Sequence, residues 1–171
     1  TWSTKTVTGL SANVQYTFDV NAATDDTGSC TSGFGTTAAK YTVAIVPGQP
    51  TVGTPAQTTL KVTINQNSNP ATVVYSIRIN GGAYTNQYVQ ASGAVGASEV
   101  FQTYATWGGA SGVTVTGLVC ETTYTFDVRA RNGDNVTTAW STTAQGTTGS
   151  CCSLQTPAAA AASSPSLKRA P

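Results

Sequence analysis

The chain has 171 residues, only 9% of them charged, and its eight Lys and Arg against seven Asp and Glu leave a formal charge of +1. That balance provides no basic face for gripping nucleic-acid phosphates, and no apolar run approaches the roughly 20 residues of a membrane-spanning helix, so neither nucleic-acid binding nor membrane insertion is expected. The sequence contains no His, which removes Ser-His-Asp and Cys-His catalysis.

Thr, Ser, Ala, Val and Gly dominate, Leu is scarce, and no helix-period stripe is present. Strands, not amphipathic helices, draw on this composition. With no Met, even at position 1, the sequence reads as a segment of a longer protein.

In chain order, the first strong pattern is Tyr16-Thr17-Phe18-Asp19-Val20, with Tyr16, Phe18, Val20 and Ala22 expected to point inward. Pro47-Gly48-Gln49-Pro50 then reads as an extended connector that stops strand pairing. Beyond it, Leu60, Val62 and Ile64 share one face of a strand, and Val73, Tyr75, Ile77 and Ile79 share a face of the next, with Ser76 and Arg78 opposite. Asn80-Gly81-Gly82 makes a tight turn, and Tyr84 to Val89 reads as the returning strand. A long stretch, Ala91 to Gly112, carries Val100, Phe101, Tyr104 and Trp107 before Val113 and Val115 resume the alternation. Tyr124, Phe126, Val128 and Ala130 point one way and Thr125, Asp127, Arg129 and Arg131 the other. Asn132-Gly133-Asp134 turns the chain in a type I′-like hairpin, and the residues after Val136 supply the last strand. Cys151-Cys152 and the run Pro157 to Pro165 read as a low-complexity, disordered tail.

Two blocks recur. Val7-Thr8-Gly9-Leu10 matches residues 115–118 and Tyr16-Thr17-Phe18-Asp19-Val20 matches residues 124–128, and 115 minus 7 and 124 minus 16 are both 108. Thr1-Trp2 resembles Thr106-Trp107 if a three-residue gap is allowed. The chain therefore divides into the C-terminal part of one repeat at 1–46, a complete repeat at 47–148 and a tail at 149–171. Period-2 alternation broken by turn signals predicts an all-β, Greek-key sandwich of two antiparallel sheets.

Gly117-Leu118 followed by Tyr124-Thr125-Phe126-Asp127-Val128-Arg129-Ala130 resembles the E–F corner and F strand of fibronectin type III domains, an immunoglobulin-like fold. The resemblance covers 47–148 and, for the last strands only, 1–46, and it is strongest to the Thr-rich modules of large bacterial surface and secreted proteins. It makes Tyr124, and Tyr16 in the first repeat, "tyrosine corner" residues whose hydroxyl ties the corner to nearby backbone, with Leu118 and Phe126 in the core. The family's strand-B Trp is replaced by Ile64, and the aromatics of 91–112 are expected to add a core layer in its place. In this fold Cys120 and the end of the last strand lie at the same end of the sandwich. A disulfide from Cys120 to Cys151 or Cys152 is therefore expected, closing a loop of about 31 residues for about 3–4 kcal/mol. Cys30 falls at the far end of its own module.

The acids Asp25-Asp26, Glu99, Glu121, Asp127 and Asp134 read as turn formers or a solvated face, not as a catalytic pair. No enzyme activity, metal or cofactor is expected. Asn135-Val136-Thr137 has the form of a glycosylation sequon, and the Arg131-Asn132-Gly133-Asp134 loop is a broken form of the integrin-binding tripeptide. The reading that follows is a spacer or interaction module of a multi-repeat, adhesin-like surface or secreted protein, located outside the cell. Its partners would be neighbouring domains, and beyond them another protein or a polysaccharide. Two other readings stand beside it. One is a carbohydrate-binding accessory module of a polysaccharide-degrading enzyme, using Tyr84, Tyr88, Tyr104 and Trp107 as an exposed row. The other is a subunit of an extracellular fibre assembled by strand donation.

Overall fold

The structure, a computed structural model, describes residues 4–23 and 31–151. Residues 152–171 of the tail, Cys30 and Asp25-Asp26 lie outside the described residues. Among the described residues eleven strands run in chain order: β1 (Gln15–Phe18), β2 (Ala38–Tyr41), β3 (Gly48–Ala56), β4 (Thr59–Asn65), β5 (Val74–Gly81), β6 (Tyr84–Val89), β7 (Val95–Gly96), β8 (Gln102–Thr103), β9 (Val113–Val115), β10 (Thr123–Arg131) and β11 (Ala144–Thr147). A short 3-10 turn, Gly109–Ser111, precedes β9. No helix among the described residues is long and apolar enough to cross a membrane.

From β3 onward the strands form a sandwich. One sheet has the order β3-β4-β9, and the other has the order β11-β10-β5-β6-β7 with β8 also paired to β5. Every pairing is antiparallel. Period-2 alternation sends Leu60, Val62, Ile64 and Val115 inward from the smaller sheet, and Val73, Tyr75, Ile77, Ile79, Tyr124, Phe126, Val128 and Ala130 inward from the larger one. Phe126 is fully buried, and such burial is worth about 1.5–3 kcal/mol.

Three expectations are corrected. Pro50 does not end pairing: β3 already begins at Gly48, and a register shift between Gly48 and Thr51 absorbs the proline, which β3 tolerates because it is an edge strand. The turn after β10 is not type I′. Asn132 N–H bonds to the Val136 carbonyl at 3.0 Å and Asn135 N–H to the Asn132 carbonyl at 3.1 Å. Asn135 has φ 63° whereas Gly133 stays outside the left-handed region, which makes a three-residue loop with its left-handed residue last. Third, Asp127 does not face solvent: it is 3% exposed and takes a bidentate pair of hydrogen bonds from Arg78.

Arg78, itself stacked 4.3 Å over Trp140, covers Asp127, and the segment 91–112 reaches the neighbouring arginines of the same outer face. Glu99 pairs with Arg129, and Phe101 lies under the Arg131 guanidinium at 4.1 Å. Trp107 is 2% exposed and its indole N–H donates to the Tyr75 carbonyl at 2.8 Å. Trp107 thus joins the core, with Val100 and Tyr104 packed against it.

Candidate functional site

The first repeat contributes only the hairpin β1–β2, a separate two-stranded sheet. Its corner hydrogen bonds nevertheless match those of β10–β11. Tyr16 Oη accepts from Ser11 N–H at 3.0 Å as Tyr124 Oη accepts from Val119 N–H at 2.9 Å. Thr42 Oγ1 donates to the Ser11 carbonyl and accepts from Val14 N–H, as Thr148 Oγ1 does with Val119 and Thr122. Phe18 pairs with Ala38 and Phe126 with Ala144. Yet the inward-reading side chains of the hairpin are not inside: Phe18 is 39% and Val20 74% exposed, and Ala22 is exposed too. Among the described residues no second sheet faces them.

The hairpin and the sandwich meet through buried amides. Asn13, Asn69 and Asn132 are each no more than 6% exposed, and a buried amide is costly unless its donors and acceptor are bonded. Asn13 Nδ2 donates to Thr72 Oγ1 and its Oδ1 accepts from Gly133 N–H, both at 3.1 Å. Asn132 Nδ2 donates to the Thr42 carbonyl at 3.1 Å while its Oδ1 holds its own loop through Asp134 N–H and Val136 N–H. Asn69 brackets the connector, accepting from Ile45 N–H at 2.8 Å and donating to the Ile45 carbonyl at 2.7 Å. Asn67 Nδ2 reaches the next carbonyl, Val46, at 2.9 Å. Asp134 Oδ2 accepts from Tyr41 N–H at 2.9 Å; its 4.0 Å ion pair with the exposed Lys40 adds little. Gly133 lies so close to the hairpin that a Cβ there would sit 2.6 Å from the Tyr41 ring. Two loops of the sandwich, 66–72 and 132–135, therefore clamp the end of the first repeat and the connector behind it.

At the opposite end Cys120 and Cys151 form a disulfide with Cα atoms 5.2 Å apart, within the usual span. Glu121 N–H to the Gly149 carbonyl at 3.0 Å and Gly149 N–H to the Ala56 carbonyl at 2.8 Å fasten the same exit.

The four aromatics suggested as a sugar platform do not form one. Trp107 is in the core, and Tyr84 and Tyr104 pack against it. Tyr84 also donates its hydroxyl to the Gly117 carbonyl at 2.8 Å and sits 6.1 Å from the Tyr124 ring. Tyr88 lies 6.4 Å from Trp140, whose ring is flanked by Arg78 at 4.3 Å and Arg129 at 4.5 Å. Interdigitated arginines separate these rings from any flat exposed row.

Electrostatics on this face follow the pairing. Desolvation raises the Glu99 carboxyl, but the hydrogen bonds from Arg129 and the charges of Arg129 and Arg131 outweigh it, so Glu99 ends below its ordinary value. Hydrogen bonding to Asp127 and to Glu99 raises Arg78 and Arg129 respectively. Burial pushes the Tyr75 phenol up to about 12, keeping it neutral. Among the described residues no group of His, Cys, Asp or Glu side chains is placed to hold a metal ion.

No family model matches the chain, and no curated protein matches it. Solved structures do. A fibronectin type III domain of human contactin 1 is 15% identical over 65% of this chain and 82% of that one, with a TM-score of 0.48. A domain of human fibronectin type III domain containing protein 3 is 17% identical over 64% of this chain and 90% of that one, at 0.44. The three-domain FN1–FN3 segment of chicken CNTN1 is 19% identical over 82% of this chain and 42% of that one, at 0.46. In the sandwich itself, β3-β4-β9 stand as strands A, B and E against β11-β10-β5 as G, F and C, with the tyrosine corner between E and F. The fold is of the fibronectin type III kind.

The apolar alternation thus located the fibronectin type III-like core, whereas the joint-forming amides gave no comparable sign. Asn13, Asn69 and Asn132 sit in turns, where Asn is common for local reasons alone. The one usable signal was Asn132-Gly133-Asp134, whose glycine is not needed for a left-handed φ and so points to a close neighbour.

Proposed function

We propose that the chain is a non-catalytic spacer and interaction module of a multi-repeat surface or secreted protein, in which successive fibronectin type III-like units are held at a fixed angle. The observation that carries this reading is the clamp: Asn69, Asn132 and Asp134 of the sandwich bond to the preceding repeat and its connector, and Asn13 of that repeat bonds back to Thr72 and Gly133. Each such bond is worth about 0.5–1.5 kcal/mol net, and several together oppose independent swinging of the units. The Cys120–Cys151 disulfide favours an oxidising, extracellular setting, and an adhesin-like parent fits a stiff repeat. The accessory-module alternative is weakened because Trp107 lies in the core with Tyr84 and Tyr104 packed against it.

The test is 15N relaxation on the oxidised full chain. One rotational correlation time for β1–β2 and the sandwich is expected, with Asn69→Ala combined with Asp134→Ala splitting it into two. Two independent correlation times in the unmodified chain would contradict the spacer reading. Firm retention of the same sample on an insoluble polysaccharide, lost in Tyr88→Ala, would favour the accessory-module reading instead.

A further inference from the structure

The sequence holds two Asn-Gly dipeptides, Asn80-Gly81 and Asn132-Gly133. Asparagine is a labile residue, and glycine after it removes the Cβ that would keep the next main-chain nitrogen away from the Asn Cγ. The two sites are held differently. Asn80 Oδ1 accepts from Asn86 N–H at 2.7 Å, inside the β5–β6 hairpin. Asn132 is 4% exposed and is held across the joint. Its Nδ2 donates to the Thr42 carbonyl, and the N–H of Gly133 donates to Asn13 Oδ1, both at 3.1 Å. Its Oδ1 accepts from Asp134 N–H at 3.1 Å and from Val136 N–H at 2.8 Å, which fixes the direction of the side chain.

The two nitrogens bonded to the first repeat are the two that an Asn-Gly pair uses in losing ammonia. Gly133 N is the nucleophile and Asn132 Nδ2 is the leaving group. The glycine is itself imposed by the joint, since a Cβ at 133 would sit 2.6 Å from the Tyr41 ring. Gly133 is exposed, so water and base reach the peptide, and it is bonding geometry that holds the reaction back.

We infer that Asn132 is a self-modification site latched by the preceding repeat, and that its deamidation releases the joint irreversibly. Gly133 N gives its proton to solvent base and forms a bond to Asn132 Cγ. The Cγ–Nδ2 bond breaks, and the nitrogen leaves as ammonia after taking a proton from water. Water then opens the cyclic imide at either carbonyl, giving aspartate or isoaspartate and releasing a proton, and nothing is oxidised or reduced. Neither product rebuilds the clamp. A carboxylate has no donor for the Thr42 carbonyl, it is charged where the amide was buried, and Asp134 lies two residues away. Isoaspartate also lengthens the main chain of a three-residue loop. The latch rests on the clamped-joint reading proposed above and needs no particular parent protein.

The experiment incubates the oxidised full chain in mildly alkaline buffer and follows ammonia loss at Asn132 and Asn80 separately by mass spectrometry. Asn132 is expected to convert at least about a hundredfold more slowly than in the same chain unfolded in urea. Asn13→Gly removes the acceptor from Gly133 N–H and tolerates the φ of 49° at that position. That variant, alone and with Asn69→Ala, should speed Asn132 by about tenfold or more while Asn80 keeps its rate. Asn132→Asp, the simpler product, should raise amide exchange at Tyr41 by about tenfold and leave residues 124–128 unchanged. An Asn132→Asp chain with native exchange at Tyr41 overturns the inference. Equally slow conversion in all three chains, each tumbling as one body, overturns the latch alone. Fast conversion in the unmodified chain, with two correlation times, overturns the clamp and the latch together.

Discussion

The hairpin β1–β2 and the hairpin β10–β11 are built from the same words. Both carry Tyr-Thr-Phe-Asp-Val, the tyrosine-corner bond and the threonine that ties the corner to the last strand. One is the centre of a core with Phe126 and Val128 at 0% exposure, and the other holds Phe18 at 39% and Val20 at 74%. The difference teaches that local bonding in this fold is set by the segment itself, while burial is set by what lies opposite. Backbone-directed bonds at the corner involve residues a few positions apart and need no second sheet. Burial of the phenylalanine needs β4 and β5, and those strands belong to the second repeat.

The largest test of that contrast is paired truncation. Phe126→Ala should cost about 3–5 kcal/mol in denaturant unfolding of the oxidised chain, whereas Phe18→Ala should cost less than about 0.5 kcal/mol. Equal losses would mean that the first hairpin is packed as tightly as the second. Next in size is the Cys120–Cys151 closure of the second repeat, for which the first has Ala12 at the position of Cys120. Cys120→Ser should lower stability by about 3–4 kcal/mol, with reduction of the unmodified chain producing the same shift in midpoint. A smaller effect is expected at the joint. Asn132→Ala should cost about 1–3 kcal/mol, because it strips a buried hydrogen-bond network of the loop as well as the contact with Thr42. Its signature would be faster amide exchange at Asp134 and Val136 together with loosening of Tyr41.

The smallest effect concerns pH. Glu99 sits below its ordinary value in the folded chain, so its contribution is present above the unfolded carboxylate value of about 4.3 and is lost as pH falls through the lower folded value. Urea midpoints of the unmodified chain should therefore drop more than those of Glu99→Gln between about pH 5 and pH 3. Parallel curves would remove Glu99 from the account of the outer face.

Much of the fold was legible because it depends on period 2. The inward sets on β4, β5 and β10 follow directly from alternation, and the corner follows from Gly117-Leu118 and Tyr124. What alternation cannot report is what covers the outward set. Asp127 read as part of a solvated face, yet Arg78, stacked on Trp140, covers it, a tertiary event with no local signature. The joint was illegible for a related reason. An asparagine in a turn satisfies local preferences whether or not its amide reaches another module, so Asn69 and Asn132 look ordinary until their partners at Ile45 and Thr42 are seen. Pro50 misled in the opposite direction, since proline excludes a central strand but not an edge strand that shifts register around it.

The central claim is that the clamp fixes the first hairpin against the sandwich, and residual dipolar couplings measured on the oxidised full chain test it most directly. Couplings from residues 15–18 and 38–41 are predicted to fit the same alignment tensor, in magnitude and orientation, as those from residues 48–147. A separate, weaker tensor for the hairpin would contradict the account and reduce the clamp to a transient contact.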